Sequence, residues 1–531
     1  MRGKVATLVN SRQRVTLIEQ LHKTPRDEAL KERIRKLDLQ LRQEAFTRLR
    51  LSANGARAML GAAVVFLAAA HYVRVARRQL PNPLAWGPRH ADEARRAARS
   101  GRHAVAALLG LLAAAGLWLG IEPVRLPERA PAVSAVPPTA TEPMFSVADW
   151  ERNWPAFRGP WGAGTTKRPV RLNLLWKTAV PLPGMSSPVI WGNAVFLTGA
   201  DEKAKETHLL RFDADTGKLV WSAPLKITGP RPPPPRLYED TGMAAPTAVT
   251  DGLRVYAIFA NGDLAAFDFE GRQIWARNIG PLENAYGYAS SLALWQNRLL
   301  VQLDLGSEED HKSKMLALDT RTGQVAWQMP RPTGGSWASP VIVMLDGKPI
   351  LVTFGDPWVL AYDPATGTEL WRANLLGSDQ APSPILAGGL IIACKVNADV
   401  IAIRPNGTGD VTKSHVAWTN TDGAPDVPSP VALGNRLYLL GGGGLLRCLD
   451  LANGRGRWAH DFGEEFYSSP ALAGSQIILV NRKGKLRLGD VSASFRELAV
   501  YELGEPCNTS PAFRGARMYL RGKTHLFCFG E

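Results

Sequence analysis

The side chains best suited to chemistry are few and scattered. Cys394, Cys448, Cys507 and Cys528 form no CxxC pair, and the histidine spacing offers no zinc site. Cys394, Cys448 and Cys528 sit in apolar, strand-like runs and read as small buried hydrophobes. For Cys507 and Cys528 a second reading stays open, a disulfide inside the last repeat, because sequence does not fix the geometry. Glu308-Glu309-Asp310 beside His311 reads as a solvated hairpin tip, since calcium needs more oxygen ligands than this stretch gathers. No metal site and no catalytic set is expected. What remains is a spaced set of sticky side chains, Met185, Met243, Tyr288, Trp337, Tyr467 and Asn508, with Ala381 and Val427 at matching positions. Such residues suit binding of a peptide, glycan or small aromatic group. The alternative is ordinary plugging of a channel mouth.

The elements that would position them repeat along the chain. A Ser-Pro-like pair opens an apolar strand at Ser187-Pro188, Ala245-Pro246, Ser290-Ser291, Ser339-Pro340, Ser383-Pro384, Ser429-Pro430, Ser469-Pro470 and Ser510-Pro511. Each copy continues through a tight turn such as Gly192-Asn193, Asp251-Gly252 or Gly434-Asn435. A third landmark sets an Asp, a turn glycine and a closing Trp in order: Asp213/Gly217/Trp221, Asp268/Gly271/Trp275, Asp319/Gly323/Trp327, Asp363/Gly367/Trp371 and Asp450/Gly454/Trp458. Asp caps the turn, Gly takes the left-handed position, and Trp closes the outer strand against the next unit. Two copies are degenerate. One has Arg404 for Asp and reaches Trp418 late; the other has Asp490 and no Trp. Trp176, Trp221, Trp275, Trp327, Trp371, Trp418 and Trp458 are thus all expected to close blades. A period of 40–50 residues filled by short strands predicts propeller blades. The expectation is an all-β, eight-bladed β-propeller with four-stranded blades over 149–531. Trp176 stands before the first Ser-Pro pair, so residues 173–179 are expected to complete the last blade and remove its open edge.

The motif runs LLRFDADTGKLVW, MLALDTRTGQVAW and LAYDPATGTELW are similar to the PQQ-like β-propeller repeat family, whose members include quinoprotein alcohol dehydrogenases and the outer-membrane assembly lipoprotein BamB. The opening NWPAFRGPWGAG at 153–164 resembles the start of bacterial members of that family. The resemblance implies a propeller fold and leaves the activity open. In the dehydrogenases it implies a vicinal cysteine pair, a calcium held by Glu and Asn, and a catalytic Asp. This chain has no adjacent cysteines and no CxxCH haem motif. No cofactor is therefore expected, and PQQ finds no support in the motifs.

Upstream of the propeller the chain changes character. Up to Arg125 there are 23 Lys+Arg against 9 Asp+Glu, and beyond it 40 against 39, so the excess charge sits at the front. Apolar runs at 58–73 and 104–121 are bracketed by basic residues and read as transmembrane helices. Basic flanks there suit anionic lipid, and no motif suits nucleic acid. The chain then divides into a helical basic region 1–56, a first span 57–74, an Arg-rich loop 75–102, a second span 103–121, a Pro-rich linker 122–148 and the propeller. Within the first region, Leu30, Ile34, Leu37 and Leu41 share one helical face. Eight arginines between the spans put that loop in the cytoplasm, which places the propeller on the periplasmic side of a bacterial inner membrane. In the first repeat, the four prolines from Pro232 read either as a polyproline II segment offered to a partner or as a rigid surface loop. Together these features point to an extracytoplasmic scaffold with a protein partner in the cell envelope. The alternatives are a PQQ-dependent oxidoreductase or a sensory propeller.

Overall fold

A computed structural model describes residues 146–531, apart from 202–205, 229–236, 238–240, 281–285 and 378–379. The expected helical region, both apolar runs and the polyproline segment lie outside the described residues. Among the described residues no helix is long and apolar enough to cross a membrane.

Eight antiparallel sheets follow one another along the chain. The first blade shows the rule. Its inner strand Val189–Trp191 is only three residues long, Ala194–Asp201 and Glu206–Asp213 fill the middle, and Leu219–Pro224 forms the outer edge. Middle strands are buried on both faces because blades stack against each other. Phe196, Leu197, Leu209 and Leu210 are all fully buried. Outer strands alternate between exposed and covered residues, as in Leu219–Pro224.

The Asp–Gly–Trp landmark has a physical use. Asp213 Oδ1 accepts the N–H groups of Asp215 (3.1 Å) and Thr216 (2.8 Å), which bends the chain between the third and outer strands. A closing Trp then reaches the corresponding turn of the next blade. Trp221 donates from Nε1 to the Phe269 carbonyl at 2.9 Å, and its ring lies on Gly271. Trp275 lies on Gly323, Trp327 on Gly367 and Trp418 on Gly454 in the same way. Gly is needed at those turns because φ is positive and a Cβ would enter the indole.

Trp458 closes its blade against the next one, as expected, but without a glycine seat. The facing turn in the seventh blade runs Asp490-Val491-Ser492-Ala493-Ser494-Phe495, without a glycine for the ring to lie on. The carbonyls of Val491 and Ser492 are taken instead by the Arg436 guanidinium. Trp458 Nε1 has no hydrogen-bond partner among the described residues. The ring stays half-buried, tilted against Tyr438 at 6.0 Å between centroids, and joins Phe462 and Phe495 at the edge of an apolar cluster. Trp458 therefore contributes apolar cover between blades six and seven, and the Trp-on-Gly seat is absent from that seam.

Both degenerate copies have structural explanations. The turn after Arg404 is expanded, and its residues Gly409–Asp410 pair in parallel with Trp371–Arg372, extending the fourth blade at its outer edge. Trp371 meets this insertion through the Pro405 carbonyl at 2.8 Å. The seventh blade keeps its cap, Asp490 Oδ1 accepting from Ser492 N–H at 2.7 Å. Its outer strand Arg496–Glu502 carries no Trp. The last blade draws three strands from the C-terminus, and strand Leu174–Ala179 completes it, with Trp176 opposite Cys528 and Lys177 opposite Phe527. Closure by an N-terminal strand covers the edge of His525–Phe529 that the three C-terminal strands would otherwise leave open.

Candidate functional site

The Ser-Pro landmarks converge on the propeller axis, where their hydroxyls make a closed chain of hydrogen bonds. The Ser187 N–H donates to Thr247 Oγ1, Thr247 to Ser291 Oγ, Ser291 to Ser339, Ser339 to Ser383, Ser383 to Ser429, Ser429 to Ser469, Ser469 to Ser510, and Ser510 back to Ser187. The distances lie between 2.9 and 3.0 Å, with 3.1 Å at Thr247. Every blade therefore tethers the next through one buried side-chain acceptor. A small hydroxyl residue is required because the inner strands crowd together at the axis. An unpaired backbone N–H there would carry the full cost of its desolvation.

The ring surrounds a cavity of about 340 Å³. One step above the hydroxyls lie Met185, Ala245, Ala289, Trp337, Ala381, Val427, Tyr467 and Asn508, one from each blade. Tyr286 and Trp337 meet edge to face at 4.9 Å in the lining. The Arg482 guanidinium covers Tyr467 at 4.1 Å. Asp426 lines the cavity and accepts the Gly442 N–H at 2.7 Å. Asn508 Oδ1 and Trp337 Nε1 have no hydrogen-bond partner among the described residues.

Four of the six expected funnel residues, Met185, Trp337, Tyr467 and Asn508, are brought together here. Met243 and Tyr288 are not. Met243 faces a neighbouring cavity of about 290 Å³ shared with Pro506, Cys507 and Lys523, and Tyr288 is 1% exposed in the core. The reason is register. In the second blade the hydroxyl that joins the ring belongs to Thr247, two residues beyond Ala245. In the third it belongs to Ser291 rather than Ser290. Counting from those hydroxyls gives Ala245 and Ala289. Nearby Thr241 and Tyr286 supply the larger groups.

Sequence reasoning missed the floor. Residues 150–166 run as a strap across one face of the disc. Trp154 exchanges backbone hydrogen bonds with Ile190, the Pro155 carbonyl accepts from Thr250, and the Gly164 carbonyl accepts from Leu472. Thr165–Thr166 then pair in parallel with Leu472–Ala473. The strap thus touches blades one, two and seven, its Arg158 reaches the Pro430 carbonyl of blade six, and Phe157 closes the base of the cavity. Its bends fall at Arg158 (φ 62°) and Gly159 (φ 74°); a side chain at Gly159 would strike the Trp154 ring.

Two further buried guanidinium groups are anchored by the fold. Arg331 pairs with Asp304 at 2.7 Å, both shielded from solvent, and Arg331 also donates to Thr353 and the Phe354 carbonyl. Arg521 donates to Ser186 and to the carbonyls of Thr198 and Leu182 at the seam between the last and first blades; burial pulls its guanidinium down to about 9. All four cysteines are free, buried thiols. Among the described residues no group of three or more His, Cys, Asp or Glu could hold a metal ion.

Stacked blades sealed by Trp on Gly, around an axial cavity with a hydroxyl girdle, define a PQQ-like repeat propeller. The family model described as outer membrane protein assembly factor BamB matches residues 173–303, 311–432 and 411–493, more than half of the chain, and the chain belongs to that family. Among curated proteins it is 25% identical over 279 residues to the outer membrane protein assembly factor BamB of Burkholderia pseudomallei, covering 50% of this chain and 63% of that one. It is 24% identical over 255 residues to the protein of that name from Moranella endobia, covering 44% and 61%. The chain thus spans about three fifths of the length of these relatives. Among solved structures, a quinohemoprotein alcohol dehydrogenase from Pseudomonas putida HK5 superimposes with a TM-score of 0.57 at 11% identity, over 74% of this chain and 82% of that one. At that identity the likeness concerns the fold alone.

Proposed function

We propose that this chain is a membrane-anchored propeller of the bacterial envelope that works as a protein-interaction scaffold on the extracytoplasmic side. The observation that carries the reading is membership of the BamB family across 173–493. Support comes from the rim. On adjacent blades the residue before the closing Trp is an exposed aliphatic: Leu175 (40%), Val220 (47%) and Ile274 (47%). The neighbouring seventh blade adds Leu498 and Val500, exposed where its Trp is missing. Blades seven, eight, one and two thus each present an exposed aliphatic side chain on the outer strand, and clustered apolar exposure is a feature of partner-binding surfaces. The apolar runs 58–73 and 104–121 supply the anchor in this reading, and the basic loop between them stays inside. By analogy with the relatives' name, the partner belongs to outer-membrane protein assembly.

A redox role is the competing reading, favoured by the axial cavity and the shared fold of the quinohemoprotein. The cavity lining does not suit a calcium–quinone pair. Asp426 is the carboxylate among the described lining residues, it is committed to Gly442, and no acidic cluster stands beside it.

The test is cross-linking of the full chain in native membranes, with Val220→Asp/Ile274→Asp as the paired variant. An envelope protein recovered with the parent chain and lost with the double variant, at unchanged melting temperature, supports the scaffold. A chain recovered alone, or quinone-dependent oxidation of alcohols, overturns it.

A further inference from the structure

We propose that the base of the axial channel holds a small monovalent anion, bound between the Arg158 guanidinium of the strap and the hydroxyls of Ser339 and Ser383. Arg158 is 2% exposed. Its Nη2 donates to the Pro430 carbonyl at 2.5 Å, while Nε and Nη1 have no hydrogen-bond partner among the described residues. No described carboxylate forms an ion pair with it. A buried guanidinium without a counter-charge is strongly unfavourable, and such groups are normally paired or bound to an ion. The ionisable neighbour that couples to it is Cys394, and burial pushes that thiol up to about 12, so it stays neutral at physiological pH and cannot serve.

A small void offers the place. About 30 Å³ of space lies between the strap and blades three to five; Trp150, Trp161, Leu292 and Val341 give it a mostly apolar lining, and its polar side chains are those of Arg158, Ser339 and Ser383. That is more than one water needs. Ser339 and Ser383 already spend an Oγ lone pair on the N–H groups of Ser291 and Ser339. Their hydroxyl protons meet no acceptor within the described protein and remain free to donate. Within an otherwise apolar lining, the polar side chains at the void are two hydroxyl donors and one guanidinium, a combination that suits a halide or formate. Water would satisfy the donors and leave the charge uncompensated. Bound there, the anion would fasten the strap to the ring.

The test uses the full-length chain, melted in chloride, in formate and in gluconate at equal ionic strength. A bound anion raises the melting temperature with saturation, by about 3 °C or more at concentrations well above its dissociation constant. Chloride and formate arms separate a halide site from a carboxylate site. Arg158→Gln removes the charge and is expected to melt identically in all three salts. Ser339→Ala keeps the charge, loses one donor, and shifts the half-saturating concentration upward roughly tenfold. Should Arg158→Gln fail to fold, the Ser339→Ala shift, read together with broadening of the chloride-35 resonance by the parent chain, decides. Identical melting of the parent chain in the three salts, or an undiminished chloride response in either variant, overturns the proposal.

Discussion

The indole of Trp176 lies on the backbone of Gly217: a Cβ at Gly217 would sit 2.5 Å from Trp176 Cε3. Trp176 belongs to the strand that completes the last blade, and Gly217 to the outer turn of the first. The contact thus repeats, at the point of ring closure, the seam found between other neighbouring blades.

Gly217→Ala is expected to cost more than a left-handed alanine alone. Gly217 has φ 72°, which penalises a side chain by about 1 kcal/mol, and intrusion into the indole adds about 1–3 kcal/mol. Gly192→Ala is the control, with φ 57° and nothing within 4 Å of its Cβ. Urea midpoints should place Gly217→Ala well below Gly192→Ala. Equal midpoints would mean that the Trp–Gly seam contributes little.

The hydroxyl girdle makes a second forecast. Ser383→Ala strands the buried N–H of Ser339 and should destabilise by about 1–3 kcal/mol. Ser383→Thr restores the acceptor, as Thr247 does in the second blade, and should stay within about 1 kcal/mol of the parent. Thermal melts of the two variants read the difference directly.

Much of this architecture is written in the repeats. The Asp–Gly–Trp spacing defines the outer turns, and Trp176 ahead of the first copy signals the closing strand. Register is misjudged where two cues compete. Pro246 imitates the Ser-Pro pair, yet Thr247 carries the hydroxyl the ring needs. A better register lies in the distance to the following positive-φ turn. Five residues separate Ser187 from Gly192, Thr247 from Gly252, Ser291 from Gln296 and Ser383 from Gly388. Trp458 closes its blade as its regular repeat implies, and the repeat alone does not show that the turn after Asp490, one repeat further on, offers it no glycine. A closing residue has to be read together with the turn it meets. The strap escapes both kinds of reading. It occurs once, so no periodicity reveals that Phe157 floors the cavity or that Arg158 is buried beneath the ring. The parallel pairing of Gly409–Asp410 is hidden for the same reason, inside an insertion unique to one blade.

Stability toward acid should depend on Glu505 at the ring-closing seam. Its carboxylate accepts the N–H groups of Thr524 (3.0 Å) and His525 (2.9 Å), next to the point where the Thr524 carbonyl receives the Val180 N–H. Burial raises its pKa, but the hydrogen bonds from Thr524 and His525 outweigh this and hold it below the usual glutamate value. A carboxylate with a lowered folded pKa stabilises fully above its unfolded pKa, and the benefit disappears as pH falls through the folded value. Glu505→Gln should therefore show a lower melting temperature near neutrality and a flatter decline between about pH 5 and pH 3. Parallel curves for the two proteins would remove Glu505 from the seam.

The thiols offer the simplest check of the packed interior. Cys394, Cys448, Cys507 and Cys528 are each at most 2% exposed. Burial pushes Cys394 up to about 12 and the other three to about 11. The reactive species is the thiolate, so near pH 8 both access and ionisation oppose modification, by about two orders of magnitude from ionisation alone. The native chain should leave an aromatic disulfide reagent essentially unreacted. In guanidinium the same reagent should titrate four thiols, the full count in the sequence. Two would mean a disulfide between Cys507 and Cys528, the reading that the free thiols in the structure oppose. Rapid native labelling of any one cysteine would show that its blade opens far more readily than stacked middle strands should allow.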